Sequence, residues 1–158
     1  MKRTRVMLCL SVLLLVTACS ERANRPYLML QVCLNNEAGV LAFKETVSAV
    51  SQSEGHEHAD LSEWSDDNRR RMVETNPDID FVRPAVHVRV KSDRHSLVAT
   101  NLGLSPYEVV IGFNGDEAGR PDFSTPYISA LEAEWALHQV PEGQGARPLE
   151  KCGQTPLD

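Results

Sequence analysis

The chain has 158 residues, a formal net charge of −6 and 42% hydrophobic residues, which suits one domain with a sizeable core. The acidic balance argues against nucleic acid as a partner, since phosphate recognition needs a basic footprint, and against an anionic headgroup surface. Four cysteines are few enough to account for one by one.

At the N-terminus, Lys2, Arg3 and Arg5 precede a short apolar run from Val6 that ends in small residues and Cys19. A membrane-spanning helix needs about 20 apolar residues, and this run is shorter. A basic head, a short apolar stretch and a small-residue exit read as a secretory signal over residues 1–18, excluded from the fold. Val16-Thr17-Ala18-Cys19 resembles the lipobox of bacterial lipoprotein precursors: aliphatic, small, small, cysteine. The resemblance covers only residues 1–20 and supplies an address, not an activity. It implies cleavage before Cys19, a diacylglycerol on its sulfur and acylation of the new amino group, with palmitate as the class of chain. Each buried methylene contributes about 0.8 kcal/mol, so several chains anchor permanently. In the family as found in enteric-type bacteria, Ser20 in place of aspartate implies the periplasmic face of the outer membrane. Losing the signal removes three basic residues and no acid, so the 140-residue mature chain carries −9.

On that reading Cys9 leaves with the signal and Cys19 is the lipid site. Cys33 and Cys152 remain in an oxidising compartment, and a disulfide is their natural pairing. The competing reading, two metal-binding thiolates, lacks CxxC spacing and a neighbouring histidine.

Residues 19–26, CSERANRP, form a short polar tether. Residues 27–153 follow as a single globular domain and 154–158 as a tail. Tyr27 to Leu34 is a nearly continuous apolar run of strand length, read as a buried central strand. Asn35-Asn36-Glu37 offers a helix N-cap and an acid for the dipole. Val40, Phe43, Val47 and Val50 recur at helical spacing, and Gly55 stops the helix. Residues 51–81 are a long polar insert in which Ser62 or Ser65 caps a short helix with Trp64, Met72 and Val73 on one side; Asn76-Pro77 closes it.

In 84–91, Val86, Val88 and Val90 alternate with His87, Arg89 and Lys91, the pattern of a strand with one wet face. Leu97 to Leu104 is ambiguous between a strand and a helical turn. Tyr107 to Phe113 is a second buried strand. Ser124-Thr125-Pro126 reads as a helix start, with Ile128, Leu131 and Trp135 on one face, and 137–140 as a last strand.

The order strand, helix, strand, strand, helix, strand predicts an α+β fold: an antiparallel sheet with two helices on one face and a long polar insert. The ferredoxin-like split βαβ arrangement is the specific expectation.

Three clusters carry candidate chemistry. His56 and His58 are candidate metal ligands with Asp60 or a distant His95, because imidazole and carboxylate are proper zinc donors. Their spacing matches no helical zinc motif, and a solvated loop is the plainer reading. His87, Arg89 and Lys91 form a basic ladder that can steer an acidic partner, although exposed strand positions are polar by default. Arg69 and Arg70, preceded by Glu63, Asp66 and Asp67, serve either as a recognition patch or as a salt-bridged helix surface. No G-x-S-x-G elbow is present, and pairing Cys33 with Cys152 leaves no free thiol for a Cys/His arrangement. Glu132 and Glu134 lie on different sides of one helix, unlike a glycosidase pair.

The chain therefore reads as a non-enzymatic module that needs no cofactor. It is held to the bilayer through Cys19 and binds an unidentified protein partner, as an inhibitor or immunity protein against an envelope-acting enzyme would. The alternatives are a structural lipoprotein in envelope assembly or maintenance, and a metal or small-ligand binder through His56 and His58.

Overall fold

The computed structural model describes residues 25–76, 86–101, 105–150 and 152. In chain order the elements are β1 (Leu28–Cys33), α1 (Glu37–Glu54), β2 (Glu57–Asp60), α2 (Ser62–Thr75), β3 (His87–Lys91), β4 (His95–Thr100), β5 (Glu108–Gly115), α3 (Arg120–Glu132) and β6 (Leu137–Gln139). Cys19, the tether up to residue 24 and the tail at 154–158 lie outside the described residues.

Helix α1 forms where its sequence places the signals. The Asn36 side chain accepts from the Gly39 amide at 2.9 Å, and Glu37 sits in the first turn, where the helix dipole favours an acid. Val40, Phe43 and Val47 are buried, and Gly55 ends the helix in the left-handed conformation.

Among the described residues the sheet has six strands in the order β2-β3-β4-β5-β1-β6, with every neighbouring pair antiparallel. β1 and β4 therefore run in the same direction on either side of β5, linked by a crossover that contains α1. Likewise β5 and β6 flank β1 and are linked through α3. Two interlocked βαβ units with a strand between each pair make the split βαβ arrangement within an α+β fold.

The second strand of that arrangement is β4, not the cleaner pattern at 87–91. His95, Leu97 and Ala99 of β4 point inward, and the strand is paired on both sides, which fixes a stretch whose own sequence is ambiguous. The 87–91 strand turns back beside β4 as a hairpin neighbour. The insert contributes more than one helix: α1 continues to Glu54, and the cluster expected as a solvated loop is an edge strand, β2, paired with β3.

Leu30, Val32, Val88, Val90, Leu97, Ala99, Val109, Ile111 and Phe113 build the sheet side of the core, under Phe43 and Val47 of α1 and Phe123, Tyr127 and Leu131 of α3. Each large side chain fully removed from water stabilises the fold by about 1.5–3 kcal/mol. Helix α3 begins at Arg120 rather than at Ser124; Pro121 occupies its first turn and Pro126 lies inside it. Trp135 falls beyond the helix end but meets the Phe43 ring edge-on at 6.1 Å.

Candidate functional site

The insert and β3 make a tightly bonded corner. Asp60 at the end of β2 accepts from both the amide and the hydroxyl of Ser62, at 2.9 and 2.5 Å, which fixes the start of α2. Ser62 Oγ in turn accepts from the His87 amide at 3.1 Å, and Ser65 Oγ stands 2.7 Å from His87 Nδ1. Lys44 of α1 reaches the other Asp60 oxygen at 3.3 Å. Burial alone would raise the Asp60 carboxyl, but the Ser62 hydrogen bonds and the Lys44 charge hold it below its ordinary value.

His87 is not a cation of the ladder. Burial, then the charges of Arg89 and Arg69, lower its pKa, with Asp60 opposing, so the imidazole is neutral at pH 7. Arg89 and Lys91 are exposed, on the sheet face turned away from α1 and α3, because Val88 and Val90 between them are buried in the core. Arg69 is 7% exposed and faces inward, so it is no contact residue. Arg70 is exposed and pairs with Asp67 at 3.4 Å, a surface pair of small energetic value.

Helix α2 is turned the opposite way to its apolar pattern. Ser62, Ser65 and Arg69 are its buried residues, while Trp64 and Met72, expected to pack inward, are 60% and 51% exposed. Polar burial wins because the inward positions are occupied by the Asp60–Ser62–His87–Ser65 hydrogen bonds. Trp64 rests against His87 with ring centroids 6.3 Å apart, which joins the exposed helix surface to the line of Arg89 and Lys91.

The proposed metal ligands do not come together. His56 Nδ1 lies 2.8 Å from the Tyr127 hydroxyl, and its ring packs on Phe123 at 5.1 Å. Ser51 spends its hydroxyl on the Val47 carbonyl and Tyr127 spends its own on Ser51, so Tyr127 accepts from His56 Nδ1–H. Asp60 is committed to Ser62 and Lys44. His95 does approach His56: its ring stacks on Phe123 at 5.4 Å, and its Nε2 meets the Asp116 carbonyl at 3.1 Å. The two histidines line one polar cleft with Arg94, Ser92 and Asp122. Among the described residues, no three His, Cys, Asp or Glu side chains are grouped so as to hold a metal ion.

At the opposite end of the sheet, Cys33 and Cys152 stand at bonding distance, with Sγ atoms 2.09 Å and Cα atoms 5.5 Å apart. Beside them Glu108 is 1% exposed. Its carboxylate accepts from the Gln31 amide and from the Leu149 backbone amide at 2.6 Å. Gln31 also donates to the Arg147 carbonyl at 2.5 Å. A glutamate heading an apolar strand is the one signal in the sequence for this contact; the segment it grips is 41 residues away.

No helix among the described residues is long and apolar enough to cross a membrane. The chain matches no protein-family model, and neither a curated protein nor a solved structure matches it.

Proposed function

We propose that the chain is a bacterial lipoprotein, anchored through acylated Cys19 to the periplasmic face of the outer membrane, whose domain captures a protein partner without catalysing a reaction. The observation that supports the docking surface is the reversed helix α2, with Trp64 and Met72 outward and its serines and Arg69 inward. Tryptophan, methionine and arginine are the residue types enriched at the buried centres of interfaces. Burying Trp64 and Met72 against a partner recovers apolar surface that folding leaves in water.

The Arg70 charge is paired with Asp67, while Arg89 and Lys91 continue this surface beyond His87 with positive charge in an acidic chain. They fit a partner with an apolar pocket and an acidic rim, and such charges set encounter rate and orientation more than affinity. An inhibitor or immunity role against an envelope-acting enzyme suits this arrangement: a small domain held within a short tether of the membrane and presenting one rigid helix.

The test is capture from envelope extract by the lipidated chain, compared with a peptide carrying the acylated Cys19 alone. One protein should be enriched by the chain and lost by at least about tenfold on Trp64→Ala. Equal recovery by parent and W64A, or nothing beyond the peptide control, overturns the docking surface. The anchor is tested separately: Cys19→Ser should move the protein from the detergent phase to the aqueous phase.

A further inference from the structure

Among the described residues, three contacts hold the C-terminal strap on the sheet face turned away from α1 and α3. Gln31 donates to the Arg147 carbonyl, Leu149 donates to Glu108, and Cys152 bonds to Cys33. Gln31, Cys33 and Glu108 share that face because they alternate with the core residues Leu30, Val32 and Val109. In the antiparallel register Cys33 lies directly opposite Glu108. Both cysteines are half-buried, so the bond is within reach of solvent.

We propose that the Cys33–Cys152 bond is a thiol-exchange site of fixed polarity, at which an external dithiol attacks Cys33 Sγ and Cys152 leaves with the strap. In the first step the attacking thiolate forms a sulfur–sulfur bond to Cys33 as the Cys33–Cys152 bond breaks. The electron pair departs on Cys152 Sγ, which takes a proton from water. The strap having left, Glu108 faces water. The second thiol of the reductant, as thiolate, then displaces Cys33, whose thiolate forms in that wetted setting and takes a proton from water. The dithiol ends oxidised to a disulfide and the protein pair ends reduced to two thiols.

The polarity comes from Glu108. In thiol exchange the negative charge of the transition state rests on the outer two of three collinear sulfurs, and the central sulfur carries least. Attack at Cys33 makes Cys33 the central atom. Attack at Cys152 makes Cys33 the leaving thiolate, opposite a carboxylate shielded from water, where like charges repel strongly. β1 is paired on both sides, by β5 and β6, so Cys33 cannot move away. Cys152 sits on a strap that, among the described residues, side chains of the sheet grip through Gln31, Glu108 and Cys33, and it can carry its charge into water. Once the bond is cut, the strap is held by two hydrogen bonds that water can replace, so it lifts away and Glu108 and Gln31 become reachable from solvent. The polarity stands apart from the docking surface on α2.

The test uses the mature chain with Cys19→Ser, so that no third thiol is present. The oxidised protein is exposed briefly to glutathione, quenched with acid and peptide-mapped. Glutathione should be found on Cys33 and the free thiol on Cys152, in about threefold excess over the reverse for each pKa unit separating the two leaving thiols. Glu108→Gln should bring the two adducts close to equal. An even split or a Cys152 excess in the parent overturns the polarity, as does the absence of any adduct. Hydrogen exchange on the parent gives a second readout that needs no variant. Reduction should abolish protection of the Leu149 amide while the β1–β5 amides keep theirs, and unchanged Leu149 protection overturns the release of the strap.

Discussion

Ser65 of α2 and His87 of β3 meet at 2.7 Å, hydroxyl oxygen to Nδ1, and this contact decides which way the helix faces. With the His87 amide also held by Ser62, the serine side of α2 is locked to the sheet and the tryptophan side is left in water.

The buried, cation-flanked setting of His87 makes stability depend on pH. Burial, Arg89 and Arg69 lower the pKa of His87 in the folded chain, whereas an unfolded histidine titrates near 6.5. At pH 7.5, well above the unfolded value, the imidazole is essentially neutral in both states and its contribution is complete. As pH falls from there towards the lowered folded value, the unfolded chain takes up a proton that the folded chain resists, and stability is lost. The urea midpoint should therefore fall between pH 7.5 and 5.5, and fall less in His87→Asn. A midpoint that rises on acidification overturns this account.

Trp64→Ala should leave the urea midpoint almost unchanged, within about 0.5 kcal/mol, as for other exposed positions. Phe43→Ala should cost about 3–5 kcal/mol, since that ring is fully buried between α1 and the sheet. The pair separates surface from core by one measurement.

Gly39 should resist the substitution that helix propensity favours. Alanine is about 1 kcal/mol better than glycine inside a helix, but a Cβ at Gly39 would collide with the Leu34 backbone carbonyl. Gly39→Ala should destabilise the protein by about 1–3 kcal/mol, the usual range for overpacking, read by denaturant unfolding.

Gly115 should be still less tolerant. Its φ of +138° is one that side chains rarely adopt, and a Cβ there would strike the His95 ring and come within 2.6 Å of the Arg94 carbonyl. Gly115→Ala should lower the thermal midpoint by several degrees. Gly143→Ala, also at positive φ but with open space around it, should cost about 1 kcal/mol from backbone strain alone.

Tyr127→Phe should cost about 1–2 kcal/mol, because the buried hydroxyl serves both Ser51 and His56. Nuclear magnetic resonance of the His56 ring should show the Nδ1 proton of the parent losing its protection from exchange.

Local order was readable wherever one segment carried its own instructions. Helix α1 has its cap, its apolar spacing and its terminating glycine within twenty residues of sequence. The α+β class and the split βαβ pattern were legible from the succession of apolar segments, although its second strand, read at 84–91, is β4. What escaped was set by distant partners. His95–Thr100 became a central strand because β3 and β5 flank it. Glu57–Asp60 became a strand because β3, some thirty residues later, offers an edge. The orientation of α2 ran against its own pattern, since hydrogen bonds to His87 and Asp60 outweighed the burial of Trp64 and Met72. At the candidate site, Arg89 and Lys91 were legible from alternation, but His87 and Arg69 were not, because nothing nearby in sequence encodes their burial.

β1 stands between β5 and β6, and its partners begin at residues 108 and 137. For a chain delivered from its N-terminus, the apolar segment 28–33 arrives first and waits longest for both neighbours. Both edges of β1 can be paired only after nearly all of the described chain is present, and non-local closure of this kind is slow and open to aggregation meanwhile. Cys33 likewise lacks its disulfide partner until Cys152 arrives, 119 residues later. For a chain delivered in that order, the enclosure of β1 is a late event, and the interval before it leaves an apolar strand open to aggregation.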